Sequence, residues 1–191
     1  MLGSRLVCEP LHLWMLCSPN EGAAAVVLRR AREGDQREVT LASARLRSHL
    51  PGSVLGEATP LSGIDDSAIT PPSTLAARDA YEEAGIGPDE IDVVECQDTD
   101  AARELLAYAE LGLCAPGDQR KVLEERAESV NPSGGLLSKG EPLGASALGQ
   151  VVEVVHQLRG TAGARQVEGA RAGLAHTVGR GANACCVVLT R

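Results

Sequence analysis

With 191 residues, 43% of them hydrophobic, the chain is long enough to bury a real core and too apolar to be disordered. Phe is absent and aromatics make up 2%, so Ala, Val and Leu must build that core; this excludes a module that stacks nucleobases on aromatic rings. A net charge of −8 excludes a general binder of phosphate backbones, so no nucleic-acid partner is expected.

The opening stretch "MLGSRLVCEPLHLWMLCSP" is apolar but broken by Arg5, Glu9 and Pro10. It has neither a signal-peptide layout nor an unbroken membrane span. "GAAAVVL" (Gly22 to Leu28) is a short apolar run consistent with a buried strand, and "EVTLASARL" (Glu38 to Leu46) alternates loosely before the turn "HLPGS". The connection "RRAREGDQR" between them is polar, and its basic start reads as a solvated face. Residues 51–72, rich in Pro, Gly and Ser, read as a long loop and the best boundary in the chain.

The pattern then becomes regular. A helix is expected over Ser73 to Ala84, ending at the glycines of "GIG", followed by a strand over Glu90 to Cys96. "DTDAARELLAYAELG" is a second helix, with Asp98 or Thr99 as its cap and Gly112 as its end. A short polar helix over Gln119 to Glu128 leads into a glycine turn. From Ala145 to Leu158 another helix carries Leu148, Val151, Val152, Val155 and Leu158 on one stripe, the pattern of a helix lying on a sheet. "AGLAHTV", "GRGAN" and "ACCVVLT" read as a closing hairpin. Alternating helices and strands with a terminal hairpin make this an α/β layered domain.

The six cysteines form no CxxC pair and no zinc spacing, so no metal is expected and a reduced, cytoplasmic chain fits best. The segment "NPSGGLLSKGEPLGAS" concentrates Gly134, Gly135, Gly140 and Gly144 just ahead of a helix start. Free N–H groups and missing β-carbons suit a thioester oxygen, an enolate or a phosphate, but a tight entry loop with Glu141 as a dipole-stabilised cap explains the spacing equally well. "ECQDTD" ends a strand and opens a helix, the place where open α/β sheets bind ligands; a plain helix start is the simpler reading of Asp98, Thr99 and Asp100. His176 sits at a strand end beside a glycine turn, where a lone His is more often structural than catalytic. No Ser-His-Asp layout, Walker loop or dinucleotide fingerprint is present.

Taken together, "NPSGGLLSKGEPLGAS", "VVEVVHQLRGTAGARQVEGARAGLAHTVGRG", "TLAARDAYEEAGIGPDEIDVVECQD", "ELLAYAELGLC" and "SPNEGAAAVVL" resemble, in the same order, the C-terminal part of thiolases, especially the sterol carrier protein x and lipid-transfer-type branch. The resemblance implies a thiolase fold of two similar βαβαβαββ halves around buried helices. Residues 1–70 would hold the tail of the N-terminal half and residues 71–191 the C-terminal thiolase-like domain. It implies acyl-CoA as ligand, a coenzyme A thioester as substrate and no bound cofactor. It further implies a homo- or hetero-oligomer, with an N-terminal thiolase half or an OB-fold acyl-CoA-binding protein as partner.

The departures fall on the reactive residues. The family's nucleophilic cysteine belongs to the half ahead of the matched region, and neither Cys8 nor Cys17 has its setting. The family's Gly-His-Pro turn is "GEP" here, with Glu141 in place of the histidine. The branch's His-Asp-Cys-Phe segment is "QDTD", so Gln97 and Thr99 replace its His and Cys; the cysteine of the last glycine turn in biosynthetic thiolases aligns with Thr177. An ionised Glu repels an enolate oxygen, whereas a base suits the first step of a retro-aldol cleavage. The combination therefore resembles the thiolase-like aldolases of steroid side-chain degradation, although Val178, not a tyrosine, occupies the final turn, and Tyr81 and Tyr108 fall on helices. The expected acid–base residues are Glu141 and Asp98. Gln97 and His176 would orient the substrate, and Asn131, Ser133, Gly134, Gly140 and Gly144 would shape its pocket. The alternatives are a non-catalytic subunit that scaffolds or binds acyl-CoA, and a truncated inactive product.

Overall fold

The structure, a computed structural model, describes residues 1–31, 38–48, 70–179 and 183–191. In chain order the strands are β1 (Leu6–Cys8), β2 (Leu11–His12), β3 (Pro19–Asn20), β4 (Thr40–Ser48), β5 (Val93–Glu95), β6 (Glu141–Pro142), β7 (Ala172–Gly179) and β8 (Asn183–Thr190). The α-helices are α1 (Pro72–Ala84), α2 (Ala101–Glu110), α3 (Gln119–Glu125), α4 (Gly135–Lys139) and α5 (Ser146–Arg159).

A mixed sheet in the order β4–β8–β7–β5 forms the centre. β7 and β8 pair antiparallel along their full length, as the closing hairpin predicts, and β5 runs parallel to β7. Strand period two sorts the core onto two faces. Val94, Leu174, Cys186 and Val188 pack with Ala76, Ala80, Tyr81 and Tyr108 on one side. Val93, Ala175 and Leu189 pack with Val154 and Leu158 of α5 on the other. Each fully buried Leu or Val of these layers contributes roughly 1.5–3 kcal/mol. The α/β/α layering agrees with a thiolase-like fold. β4 lies ahead of residue 70 in sequence yet pairs with β8 from Thr40↔Thr190 to Ser48↔Asn183, so this sheet draws on both sides of the expected boundary.

α1 forms where its punctuation allows it: Pro72 occupies its first turn, where a missing N–H goes unnoticed, and Gly85 at φ 70° closes it. The cap of α2 corrects the expectation. Asp100, not Asp98 or Thr99, accepts from Arg103 N–H at 2.8 Å. The strand expected over Glu90 to Cys96 shortens to Val93–Glu95 because Pro88–Glu90 forms a 3-10 turn, and the polar helix stops at Glu125.

Gly22 to Leu28 is not a strand. The run has no regular structure, and Val27 is 93% exposed and Leu28 73%. Apolar composition alone does not make a strand; the run has no ladder partner among the described residues and lies instead along an apolar groove beside Val151 and Val155 of α5. That groove also explains a second difference. The buried face of α5 is Ser146, Gln150, Glu153, Val154, Gln157 and Leu158, while Leu148, Val151, Val152 and Val155 line the groove. Most of the loop expected over 51–72, and parts of the polar connection before β4 and of the "GRGAN" turn, lie outside the described residues. Among the described residues no helix is long and apolar enough to cross a membrane.

Candidate functional site

β5 and β7 are parallel, so their carboxyl ends open on the same edge of the sheet, where α/β folds place ligands. A cleft of about 330 Å³ sits there. Leu16 and Cys17 from the N-terminal segment, Gln97 and Thr99 beyond β5, Glu141 and Leu143 around β6, and Val178 of β7 line it. The N-terminal segment is tied in by backbone bonds. Cys17 N–H donates to Thr99 O at 2.8 Å, Glu141 N–H donates to Ser18 O at 2.9 Å, and β3 pairs parallel with β6.

The polar floor is a short relay. Thr177 Oγ1 donates to Gln97 Oε1 at 2.8 Å, and Gln97 Nε2 donates to Glu141 Oε1 at 2.9 Å. The other carboxylate oxygen accepts from Cys17 Sγ at 3.9 Å. Burial raises the Cys17 thiol above its ordinary range, and the nearby carboxylates of Glu141 and Asp98 raise it further. This thiol therefore stays protonated near neutral pH and lacks the thiolate character of a nucleophile.

The other expected residues sit around this cleft rather than in it. Asp98 is 1% exposed, and its oxygens accept from Leu136 N–H at 2.6 Å and Leu137 N–H at 3.3 Å, the first turn of α4. Burial pushes its carboxyl up to about 6, although those backbone bonds pull the other way. Asn131, at φ 48°, accepts from Cys96 N–H at 2.8 Å through Oδ1 and so fastens the glycine turn to the end of β5. Ser133 donates its hydroxyl at 2.7 Å and its N–H at 3.1 Å to the fully buried Glu95. Gly134 precedes α4 at φ 85°, Gly140 presses against Asn20 and the Ser18 carbonyl, and Gly144 stands in open space at φ 84°.

The structure does not bring His176 to the cleft. It shares the even-numbered face of β7 with Leu174, is fully buried, and bonds through Nε2 to Ser73 Oγ of α1 at 3.0 Å. Burial, with the charge of Arg103, drops its pKa to about 3, so it is neutral. Its neighbour Thr177 points to the opposite face of the strand and reaches the cleft only through Gln97. Period two along β7 carries that signal: His176 is in phase with the buried Leu174 and packs with it against α1, whereas Thr177 turns to the other face. The part played by Cys17 has no local signal, because it depends on pairing across more than a hundred residues.

The model of the thiolase C-terminal domain-like family matches residues 58–191. Sterol carrier protein 2 of Homo sapiens is 38% identical over 95% of this chain and 34% of its own length. The acetyl-CoA acetyltransferase of Methanothermobacter thermautotrophicus is 37% identical over 94% of this chain and 47% of its own length. The benzoylsuccinyl-CoA thiolase subunit BbsB of Thauera aromatica is 33% identical over 96% of this chain and 48% of its own length. The chain thus spans about a third to a half of these relatives.

Proposed function

The chain belongs to the thiolase C-terminal domain-like family, and on that premise we propose that it is the C-terminal portion of a thiolase-like protein that handles acyl-CoA at a carbon–carbon bond. Retro-aldol cleavage of a β-hydroxyacyl-CoA is favoured over thiolysis. The observation that carries this reading is the Glu141 carboxylate in the cleft, held by the Gln97 amide at 2.9 Å.

A carboxylate there repels an enolate oxygen but suits proton removal from a hydroxyl within hydrogen-bond reach. Glu141 takes the β-hydroxyl proton. The freed oxygen pair forms the new carbonyl, the Cα–Cβ bond breaks, and its electron pair passes to the thioester as an enolate. Returning the proton from Glu141 to Cα gives the shortened acyl-CoA and a ketone or aldehyde. Cys17, protonated beside Glu141, is unsuited to the thiolate step of thiolysis. We assign residues 1–70 to the tail of the first thiolase half and residues 71–191 to the C-terminal domain, with β4 of the first stretch pairing along its length with β8 of the second. An N-terminal thiolase half, or an OB-fold acyl-CoA-binding protein, is the partner this reading calls for.

The test is to co-purify the chain with the products of its neighbouring genes, supply a β-hydroxyacyl-CoA, and measure carbonyl product and shortened acyl-CoA. Turnover that Glu141→Gln lowers strongly supports the reading; turnover that it leaves unchanged overturns it. A second reading, a non-catalytic subunit that binds acyl-CoA, is favoured by one observation. Of Glu141, Asp98 and His176, only Glu141 lines the cleft. Tight acyl-CoA binding without turnover in the full complex would decide for that reading.

A further inference from the structure

Gln97 and Asp98 are consecutive in sequence and take hold of Glu141 by different parts. The Gln97 amide reaches the Glu141 carboxylate itself at 2.9 Å. Asp98 reaches its backbone indirectly, through α4. The carboxylate of Asp98 accepts from the Leu136 and Leu137 amides, two of the donors that a helix start leaves without partners. Leu136 is fully buried, and its carbonyl accepts from Gly140 N–H at 2.8 Å, immediately before Glu141.

Little slack remains along this path. Gly135, at φ 62°, lies so close to Asp98 that a β-carbon would collide with the carboxylate. Gly140, at φ 80°, is wedged so that a β-carbon would come within 2.8 Å of Asn20 Cβ and 2.9 Å of Ser18 O. Glu141 N–H is then fastened to Ser18 O at 2.9 Å. With both oxygens engaged by backbone and only 1% of its surface exposed, Asp98 has no path to a reacting group.

We propose that Asp98 is a positioning residue: through α4 it sets how far Glu141 reaches into the cleft, and with Gln97 it forms a clamp on both the backbone and the carboxylate of Glu141. The inference rests on the role given to Glu141 above, but its geometric content is separable from activity. Cys17 supplies the reporter: burial raises its thiol most, and the carboxylate of Glu141, 3.9 Å from its sulfur, raises it further, with a smaller direct contribution from Asp98.

The experiment measures alkylation of Cys17 in the full chain at pH 8, site by site by peptide mass spectrometry, for wild type, Glu141→Gln and Gly135→Ala. Gly135→Ala keeps both carboxylates and pushes Asp98 off α4. Glu141→Gln calibrates the reporter, with an expected rise of roughly three- to tenfold in alkylation rate, as a drop of up to one pKa unit gives. A comparable rise in Gly135→Ala that vanishes in a Glu141→Gln background, with the circular dichroism of the fold retained, supports the clamp; a rise that persists in that background is the direct effect of the Asp98 charge and overturns it. An unchanged rate in Gly135→Ala overturns it, as does a reporter that Glu141→Gln does not move. In the reconstituted complex, Asp98→Asn is expected to lower kcat at least tenfold with KM nearly constant and both limbs of the pH–rate profile retained. Loss of one limb would make Asp98 an acid–base group and overturn its positioning role. If Glu141→Gln leaves turnover intact, the reaction fails while the alkylation result still decides the clamp.

Discussion

Thr177 donates its hydroxyl proton to Gln97 Oε1 at 2.8 Å, and that bond decides which end of the Gln97 amide meets Glu141. With Oε1 occupied by a donor, Nε2 is left to donate to the carboxylate at 2.9 Å. The strand that carries Thr177 thus orients a group on a neighbouring strand end, which in turn holds the base.

Thr177→Val keeps the shape of the side chain and removes that donor. The Gln97 carbonyl then loses its partner, and nothing prevents the amide from turning its oxygen toward Glu141, where the two repel. The expected loss is about 1–3 kcal/mol of stability, from a buried acceptor left without a donor. Urea denaturation measures it, and Thr177→Ser should recover most of the difference. Equal midpoints for the Val and Ser variants would mean that the hydroxyl does not orient Gln97.

His176 makes stability depend on pH in a predictable sense. Its pKa in the fold, about 3, lies below the ordinary 6.5, so between these values the unfolded chain binds a proton that the native state refuses. Its contribution is fully present above pH 6.5 and is lost progressively as pH falls toward 3. Asp98 acts in the opposite sense. Its carboxyl is pushed up from 3.8 to about 6, so the native state holds the extra proton and stability declines as pH rises across that window. Glu95, raised by burial like Asp98, acts with it, so the mark of His176 is a loss of melting temperature from pH 7 to pH 5 set against the gain from these two carboxyls. His176→Gln, which retains a group able to bond Ser73, should flatten that loss. A slope unchanged in His176→Gln would assign the acid sensitivity to other groups.

What was legible in the sequence was local. The Pro72 start and Gly85 stop of α1, and the two apolar runs that become β7 and β8, are written in neighbouring residues, and the elements form where those residues put them. The five-residue α4 was not legible, since a helix so short is made by tertiary bonds to Asp98 rather than by propensity. For the same reason spacing could not divide two acids between two helices: Asp100 caps the helix beside it, and Asp98 caps one 38 residues away. Glu141 stood out by composition, as the lone charge in "GEPLGAS", whereas its neighbour Cys17 reaches it through the β3–β6 pairing and its own bond to Thr99. Gly22 to Leu28 misled because an apolar run names the need for burial and not the partner that meets it.

Gly173 tests how tightly α5 lies on the sheet. A β-carbon there would overlap Val154 of α5 and come within 2.9 Å of Val93 Cγ1, both fully buried. Gly173→Ala therefore overpacks the layer between β5, β7 and α5, at an expected cost of roughly 1–3 kcal/mol. Val154→Ala in the same chain opens space at the point of collision, so the pair should cost less than the sum of the two single changes. Strict additivity in denaturation midpoints would show that the helix moves away as a body rather than resisting at Val154.

Ser133 is the hydroxyl donor to a carboxylate that has no access to water. Glu95 is fully buried; one of its oxygens takes the Ser133 hydroxyl at 2.7 Å, and Lys139 stands 3.8 Å away. Burial already raises the Glu95 pKa, against the pull of Ser133 and Lys139. Ser133→Ala removes the shorter of these contacts and drives the pKa further up. Because the unfolded reference is the same for both chains, the variant's deficit is small while Glu95 is protonated in both folds and grows as pH rises through its raised native range, above the ordinary carboxylate value of 4.5. The melting difference between wild type and Ser133→Ala should therefore be larger at pH 8 than at pH 4, reaching about 1–3 kcal/mol. In a Glu95→Gln background the same substitution should show no such pH dependence. An equal deficit at both pH values would reduce Ser133 to a neutral hydrogen bond and leave Lys139 as the group that keeps Glu95 ionised.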